Sequence, residues 1–187
     1  MNSFFYFFYR LFSFDQVSLA GRLPFKIRKV LSKAKKYNQT IIFVTGVFDI
    51  LHFEHQKFLE KAKNLGHILL VGIESDLRVK QLKGKGRPCN DQIQRLINLR
   101  KINIADEVFI LPENFFINEK IKFLIVQIKP KYLAVSSNTP GIAKKRQIME
   151  ECGSDLIIVH QHNPNISTTL LLERKVQSSD AICYNSR

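Results

Sequence analysis

Short apolar runs alternate with helical segments between residues 40 and 160, and this alternation limits the chain to few architectures. Strands separated by helices of about 10 to 15 residues are joined by right-handed crossovers, which place them side by side in a parallel sheet covered by helices on both faces. The predicted strands are 41–44, 67–73, 107–111, 132–135 and 156–159. The predicted helices are 53–65, 75–82, 91–102, 117–128 and 142–152. We therefore expect an α/β protein with a doubly wound, Rossmann-like parallel sheet of about five strands.

Composition excludes several other classes of protein. The chain has 187 residues, of which 45% are hydrophobic and 24% are charged, values typical of a globular domain and not of a disordered chain or a coiled coil. Its longest uninterrupted apolar run, 68–73, is far shorter than the roughly 18 to 20 residues that cross a bilayer as a helix. The three cysteines include no C-x-x-C pair, which argues against a disulfide framework or a thiolate metal site. We expect a cytoplasmic protein.

Basic residues are concentrated at the N-terminus. The net charge is +13, and residues 1–40 carry eight Lys or Arg against a single acid, Asp15. Phe4 to Tyr9 form an aromatic run, and apolar residues at helical spacing among lysines predict an amphipathic basic helix over 24–38. This helix either packs on the domain with a solvated lysine face or makes a weak contact with an anionic membrane surface. The expected organisation is an aromatic and basic extension (1–23), this helix (24–38), a main domain (39–176) and a C-terminal tail (177–187).

The loop after the first strand carries the strongest signal for function. Gly46 follows a buried strand and allows a sharp turn, and the helix that follows points its free N–H groups at a ligand. The spacing of His52 and His55 predicts that both lie in the first turn of that helix, on one face. Two imidazoles beside a bound phosphate can donate hydrogen bonds to oxygens that gain charge as the phosphorus becomes five-coordinate. The loop therefore predicts an anion site.

A catalytic zinc ion is excluded by spacing. His52, Phe53 and Glu54 match the H-x-E half of a zinc nucleobase deaminase, but the P-C-x-x-C half fails because position 92 is Gln92 and not cysteine. The H-E-x-x-H and H-x-x-E-H patterns of zinc proteases do not occur. We expect no metal ion held by the protein's own side chains.

Three motifs, in order along the chain, resemble the cytidylyltransferase-like nucleotidyltransferases, and most of all the heptose-1-phosphate adenylyltransferase domain and glycerol-3-phosphate cytidylyltransferase. They are the stretch from Thr45 to His55, the stretch from Lys83 to Pro88 followed by Arg95, and Ile166-Ser167-Thr168-Thr169. The resemblance covers residues 40 to 176. It implies a Rossmann-like nucleotidyltransferase fold and attack of a phosphorylated alcohol or sugar on the α-phosphate of ATP or CTP, with release of pyrophosphate and use of Mg²⁺. We also expect a homodimer.

The same resemblance implies roles for individual residues. Those implied to be catalytic are His52, His55 and Lys83. Those implied to bind the nucleotide are Gly46, Val47, Phe48, Arg87, Ile166, Ser167, Thr168 and Thr169. Candidates for acceptor binding or for a structural role are Asp49, Asp76 and Arg95. Simpler alternatives stay open, since the basic loop could be a solvated turn, Ser167 only a helix cap, and Arg95 half of a surface ion pair with Asp91.

The chain departs from the family pattern at three places, one of which is 160–163, where glycerol-phosphate members commonly carry an arginine shortly before Ile-Ser-Thr-Thr. It has Glu54 where the family usually has glycine, and residues 135–139 replace a Lys-Gly-Gly-Asp-Tyr-like stretch found in sugar-phosphate members. A carboxylate about 4 Å from a phosphate would repel it by about 4 kcal/mol at an effective dielectric constant of 20. Besides turning to solvent, Glu54 can pair with a basic residue such as Lys57 or Lys85, or face the base or ribose, and we favour these last two. The changed acceptor side keeps open a catalytically weakened module that binds nucleotide or RNA, although no RNP-like aromatic motif supports nucleic acid.

Overall fold

The computed structural model describes residues 16–18, 21–115 and 117–164. Its helices are α1 (Phe25–Lys36), α2 (Phe53–Lys63), α3 (Asp76–Lys83), α4 (Gln92–Lys101), α5 (Asn118–Ile128) and α6 (Ile142–Glu151). Its strands are β1 (Ile41–Gly46), β2 (Ile68–Ile73), β3 (Glu107–Ile110), β4 (Tyr132–Ser136) and β5 (Asp155–His160). Each predicted strand and helix is present, and the ends differ from the predicted ends by at most two residues.

The strands form one parallel sheet in the order β3-β2-β1-β4-β5 within the described part of the chain. β1 is central, and its residue Ile42 pairs with Leu69 of β2 on one side and with Tyr132 of β4 on the other. The chain moves outward from β1 to β3 and then crosses back to β4, so the strand order reverses between β1 and β4. The predicted doubly wound sheet is confirmed, and ligands in such sheets bind in the crevice at this reversal.

Two hydrophobic layers, one on each face of the sheet, stabilise the fold. On one face, Ile27 of α1, Ile125 of α5 and Met149 of α6 belong to a cluster with Phe43 and Phe109, whose rings stack with centroids 6.0 Å apart. On the other face, α2 and α4 bury leucines against β1 and β2. Successive strand residues alternate between the two faces, and because both faces are covered the strands read as continuous apolar runs.

The basic helix α1 is packed on the sheet. Its residues Ile27 and Ala34 are each 1% exposed, while its lysines lie on the surface. Upstream of α1, Val17 donates its backbone N–H to the carbonyl of Ile110 over 3.0 Å and lies with Leu23 in the same buried layer. Part of the segment predicted as an extension therefore belongs to the core. None of the helices in the described ranges is long and apolar enough to cross a bilayer.

Candidate active site

A cavity of about 290 Å³ opens where β1, β4 and β5 end at the carboxyl edge of the sheet. Its walls come from the β1–α2 loop, the start of α2, the end of α3 with the loop after it, and the loops after β4 and β5. The lining residues are Thr45, Gly46, Val47, Phe48, Asp49, His52, Glu54, His55, Phe58, Lys83, Arg87, Val135, Ser136, Asn138, Thr139, His160, His162 and Asn163. The cavity thus brings the first two sequence motifs together at the switch point of the sheet.

The conformation of the β1–α2 loop depends on Gly46, the last residue of β1. A Cβ atom on Gly46 would lie 2.7 Å from the Phe48 ring, a distance that requires the ring to move. Phe48 itself has a left-handed backbone, with φ of 49°, is 5% exposed, and meets the His55 ring edge-on with centroids 5.3 Å apart. Gly46 therefore allows Phe48 to pack beneath the site and hold His55.

His52 and His55 lie face to face in the cavity. Their rings stack with centroids 3.8 Å apart and planes 22° apart. The prediction that both lie within the first helical turn is wrong for His52, which is the N-cap of α2 and has an extended backbone. Its carbonyl accepts the N–H of His55 over 2.9 Å. Because an N-cap residue adjoins the free N–H groups of its helix, His52 is placed at the positive end of the helix dipole.

Both imidazoles are held in the neutral form at pH 7. Burial, together with smaller contributions from the nearby His52 and His160, lowers the pKa of His55 to about 3. Burial also lowers the pKa of His52 from its ordinary value, and the charge of Glu54 opposes this shift. A neutral imidazole carries one N–H donor and one acceptor nitrogen. The buried Nδ1 atoms of His52 and His160 have no hydrogen-bond partner in the described part of the chain.

Glu54 is paired inside the protein. Its side chain is 13% exposed, one carboxylate oxygen lies 2.9 Å from Nε2 of His160, and the other lies 3.7 Å from Nζ of Lys57. The expected pairing with Lys57 is present. His160, the last residue of β5, was not expected as a partner, because its proximity to α2 follows from the strand order. The carboxylate is therefore turned toward the side chains of His160 and Lys57.

Asp49 anchors the basic loop to the β1–α2 loop. It is 2% exposed, and its carboxylate accepts hydrogen bonds from Nε of Arg87 over 2.8 Å and from the backbone N–H groups of Cys89 and Asn90 over 3.0 and 2.8 Å. Arg87 still lines the cavity, as does Lys83 at the end of α3. The basic loop is thus fixed against the site, and the alternative of a freely solvated turn does not describe Arg87.

Arg95 lies beneath the site and is fully buried. Its guanidinium donates to the carbonyls of Val47 over 2.7 Å and Glu74 over 2.8 Å, and to the carboxylate of Asp76 over 2.7 Å. The alternative of a surface ion pair with Asp91 is wrong, because Asp91 instead caps α4 by accepting the N–H of Gln94. Arg95 and Asp76 do not line the cavity; they join the loop after β2 to the loop after β1, which does line it.

The loops after β4 and β5, where the chain departs from the family pattern, contribute polar side chains to which sequence analysis gave no individual role. These are Ser136, Asn138, Thr139, His160 and His162. The rule that ligands bind beyond the carboxyl ends of parallel strands is the signal that could have identified them. The third motif, Ile166 to Thr169, lies outside the described residues.

The structure combines a Rossmann-like sheet, paired histidines at a helix N-terminus and a basic loop across the cavity. A family model described as cytidylyltransferase-like matches residues 43–174. The chain belongs to the cytidylyltransferase-like family, as the motifs suggested.

The chain is similar to several curated relatives called bifunctional protein HldE. It is 36% identical over 132 residues to that of Campylobacter concisus, covering 71% of this chain and 25% of the relative. It is 35% identical over 152 residues to that of Nitratiruptor sp., covering 80% and 30%. It is 43% identical over 108 residues to that of Campylobacter jejuni subsp. doylei, covering 54% and 23%. The chain thus spans less than a third of the length of these relatives.

Two solved structures share the fold. One is the lipopolysaccharide core biosynthesis protein from Thermoplasma volcanium, with a TM-score of 0.56 and 23% identity, covering 67% of this chain and 99% of that one. The other is pantoate-beta-alanine ligase from Francisella tularensis, with a TM-score of 0.55 and 15% identity, covering 86% of this chain and 80% of that one.

Proposed function

We propose that the protein transfers AMP or CMP from ATP or CTP to a phosphorylated sugar or polyol, with release of pyrophosphate. An oxygen of the acceptor phosphate attacks the α-phosphorus, the bond between that phosphorus and the bridging oxygen to the β-phosphate breaks, and pyrophosphate leaves with the electron pair. The observation that carries the proposal is the stacked pair of His52 and His55 at the N-terminus of α2, in a cavity that Lys83 and Arg87 also line.

Both histidines suit a role as fixed hydrogen-bond donors. Since burial keeps them neutral at pH 7, each can present one N–H to the oxygens of the α-phosphate. The N-terminus of α2 adds free N–H groups and the positive end of its dipole. Lys83 and Arg87 supply the full positive charges that position a triphosphate. Donors held in place before the reaction stabilise the developing charge without reorganisation, which is why such groups contribute strongly to catalysis.

Mg²⁺ would enter with the nucleotide. No group of three or more His, Cys, Asp or Glu side chains in the described ranges is arranged to hold a metal ion. Asp49 and Glu54, two carboxylates that line the cavity, are already paired with Arg87 and His160. Mg²⁺ typically keeps several waters and binds phosphate oxygens, so the nucleotide itself fits as the main source of ligands. When bound, the ion neutralises charge on the triphosphate and on the departing pyrophosphate.

The acceptor class is supported by the relatives and by the polar side of the cavity. The HldE relatives favour a phosphorylated sugar. Ser136, Asn138 and Thr139 line the cavity with groups that hydrogen-bond hydroxyls. A sugar or polyol phosphate offers both the nucleophilic phosphate and the hydroxyls that these side chains can recognise.

The test is a pyrophosphate-release assay that pairs ATP or CTP, with Mg²⁺, with a panel of sugar phosphates and glycerol 3-phosphate. We expect turnover with one donor and a subset of acceptors. In the His55→Ala variant kcat should fall about 100- to 1,000-fold, with a smaller change in the KM for nucleotide, because a donor to the transition state is lost.

His67→Ala is the matched control. His67 is exposed at the start of β2, at the opposite edge of the sheet, and accepts the N–H of Thr40. Its replacement should leave kcat within a few-fold of the parent value. If His55→Ala behaves like His67→Ala, the catalytic assignment of the histidine pair is wrong. An absence of turnover with every pair, together with salt-sensitive RNA binding, would favour the binding module.

The homodimer expected from the sequence is also a proposal. Light scattering behind a sizing column distinguishes the 21.7 kDa monomer mass from twice that value. A monomer mass at all concentrations used in the activity assay would contradict it.

A further inference from the structure

We propose that the outward face of α1 binds the surface of an anionic membrane. We call the stripe formed by Lys26, Lys29, Lys33 and Lys36 the lysine face. At about 100° per residue these four side chains fall within about 80° of one another around the helix. Ile27 and Ala34, which are each 1% exposed, point the opposite way into the core. The packing of α1 thus holds the lysine face toward solvent.

No acidic residue close to α1 in the sequence balances the positive charge of this helix. α1 carries six Lys or Arg, all exposed, and the sequence has no acidic residue between Asp15 and Asp49. Neighbouring like charges on a helix repel one another and destabilise it slightly. A surface that gathers cations without acids fits a partner with a dense negative charge, and an anionic lipid surface is such a partner.

Exposed aromatic rings stand at both ends of the lysine face. Phe25 is 65% exposed and Tyr37 is 59% exposed. Arg28 lies 5.7 Å from the Phe25 ring centroid, and Lys36 lies 5.3 Å from that of Tyr37. Aromatic rings combined with lysines are typical of segments that lie in the interfacial region of a bilayer, where the rings reach the headgroup level and the cations meet lipid phosphates.

The chain upstream of α1 adds to this combination. Gln16, the first described residue, forms a bridge with Ile110 at the carboxyl end of β3, and residues 1–15 precede it in the sequence. Their sequence contains six phenylalanines and two tyrosines before Asp15. Single-stranded RNA could also bind to lysines and aromatic rings. In RNA-binding domains, however, basic and aromatic side chains alternate along the surface of a strand. Here the aromatic run precedes the lysines in sequence, which favours lipid.

Vesicle flotation with the full-length protein tests the proposal. The parent protein should bind phosphatidylcholine vesicles that contain about 30% phosphatidylglycerol and should not bind pure phosphatidylcholine, because each lysine near an anionic surface raises partitioning about fivefold. Binding should weaken in about 1 M salt, where the Debye length is about 3 Å. The double variant Lys29→Glu/Lys33→Glu should lower partitioning at least about 25-fold, the product of two such factors.

The control variant reverses the charge of two exposed lysines on the opposite face of the sheet from α1. These substitutions are Lys61→Glu in α2 and Lys101→Glu in α4. Both double variants lower the net charge equally, so only the position of the charge differs. The control should keep partitioning within a few-fold of the parent value. An equal loss in both variants would overturn the proposal, because it would show attraction by net charge alone.

Two further results would overturn the proposal that α1 binds a membrane surface. One is failure of the parent protein to bind the anionic vesicles at low salt. The other is a parent protein that binds single-stranded RNA but not vesicles and that loses RNA binding in the Lys29→Glu/Lys33→Glu variant. Serine in place of Phe4, Phe5, Phe7 and Phe8 should weaken vesicle binding further and leave pyrophosphate release unchanged. Since α1 does not line the cavity, the outcome is independent of the proposed reaction.

Discussion

Replacing His55 with glutamine should make the stability of the protein less sensitive to acid. The pKa of His55 is lowered to about 3 in the folded protein, whereas an unfolded chain protonates histidine near 6.5. Below pH 6.5 the unfolded state therefore takes up a proton that the folded state refuses. The free energy of unfolding contributed by His55 is fully present above pH 6.5 and is lost progressively as the pH falls toward 3.

The size of the effect follows from the distance between the two pKa values. Each pH unit in this window costs about 1.36 kcal/mol, so between pH 7.5 and pH 4.5 His55 removes about 2.7 kcal/mol of stability. Since pH 4.5 lies above the folded pKa, this magnitude depends mainly on the unfolded value. The His55→Gln variant lacks the group whose protonation causes this loss of stability. Any packing free energy that the variant loses is lost at both pH values, so it cancels when the two pH values are compared.

Urea unfolding of the parent and of His55→Gln at pH 7.5 and pH 4.5 measures the difference. The stability gap between the two proteins should change by about 2.7 kcal/mol in favour of the variant on going to pH 4.5. Other groups titrate in both proteins and cancel. A change below about 1 kcal/mol would show that His55 takes up a proton in the folded state and would refute the argument that its neutral form serves catalysis.

Three other substitutions probe the support of the site. Arg95→Met should lower the free energy of unfolding by about 3 to 5 kcal/mol in urea titrations, because it leaves Asp76 and two carbonyls without their buried donor; full stability in this variant would show that the brace is dispensable. Gly46→Ala should lower kcat by about tenfold or more, since its Cβ would displace the Phe48 ring that supports His55; an unchanged kcat in the pyrophosphate assay would contradict this. Glu54→Gly should keep kcat within a few-fold of the parent value, because the Glu54 carboxylate is already paired with His160 and Lys57; a gain of several hundred-fold in kcat/KM would instead show that Glu54 obstructs the reaction.

Periodicity was enough to predict the fold. The apolar runs of β1 to β5 and the helical spacing between them led to the observed elements because strands covered on both faces must be apolar throughout. The family resemblance implied that Lys83 belongs to the site. The positions of His52 and His55 in the cavity were predictable from the pattern itself, since both follow closely after the end of β1. These are local relations, decided within about ten residues of chain.

The contacts that shape the site were decided by tertiary structure. The sequence placed Arg95 equally well on the surface beside Asp91, and only the folded protein shows it buried against Val47 and Glu74. The pairing of Glu54 with His160 is of the same kind. Such contacts join segments far apart in the chain that meet because β5 and the loops after β1 and β2 reach one edge of the sheet. Local propensity carries no information about them, since the free energy of pairing a buried charge depends on which distant groups the strand order brings within hydrogen-bonding distance.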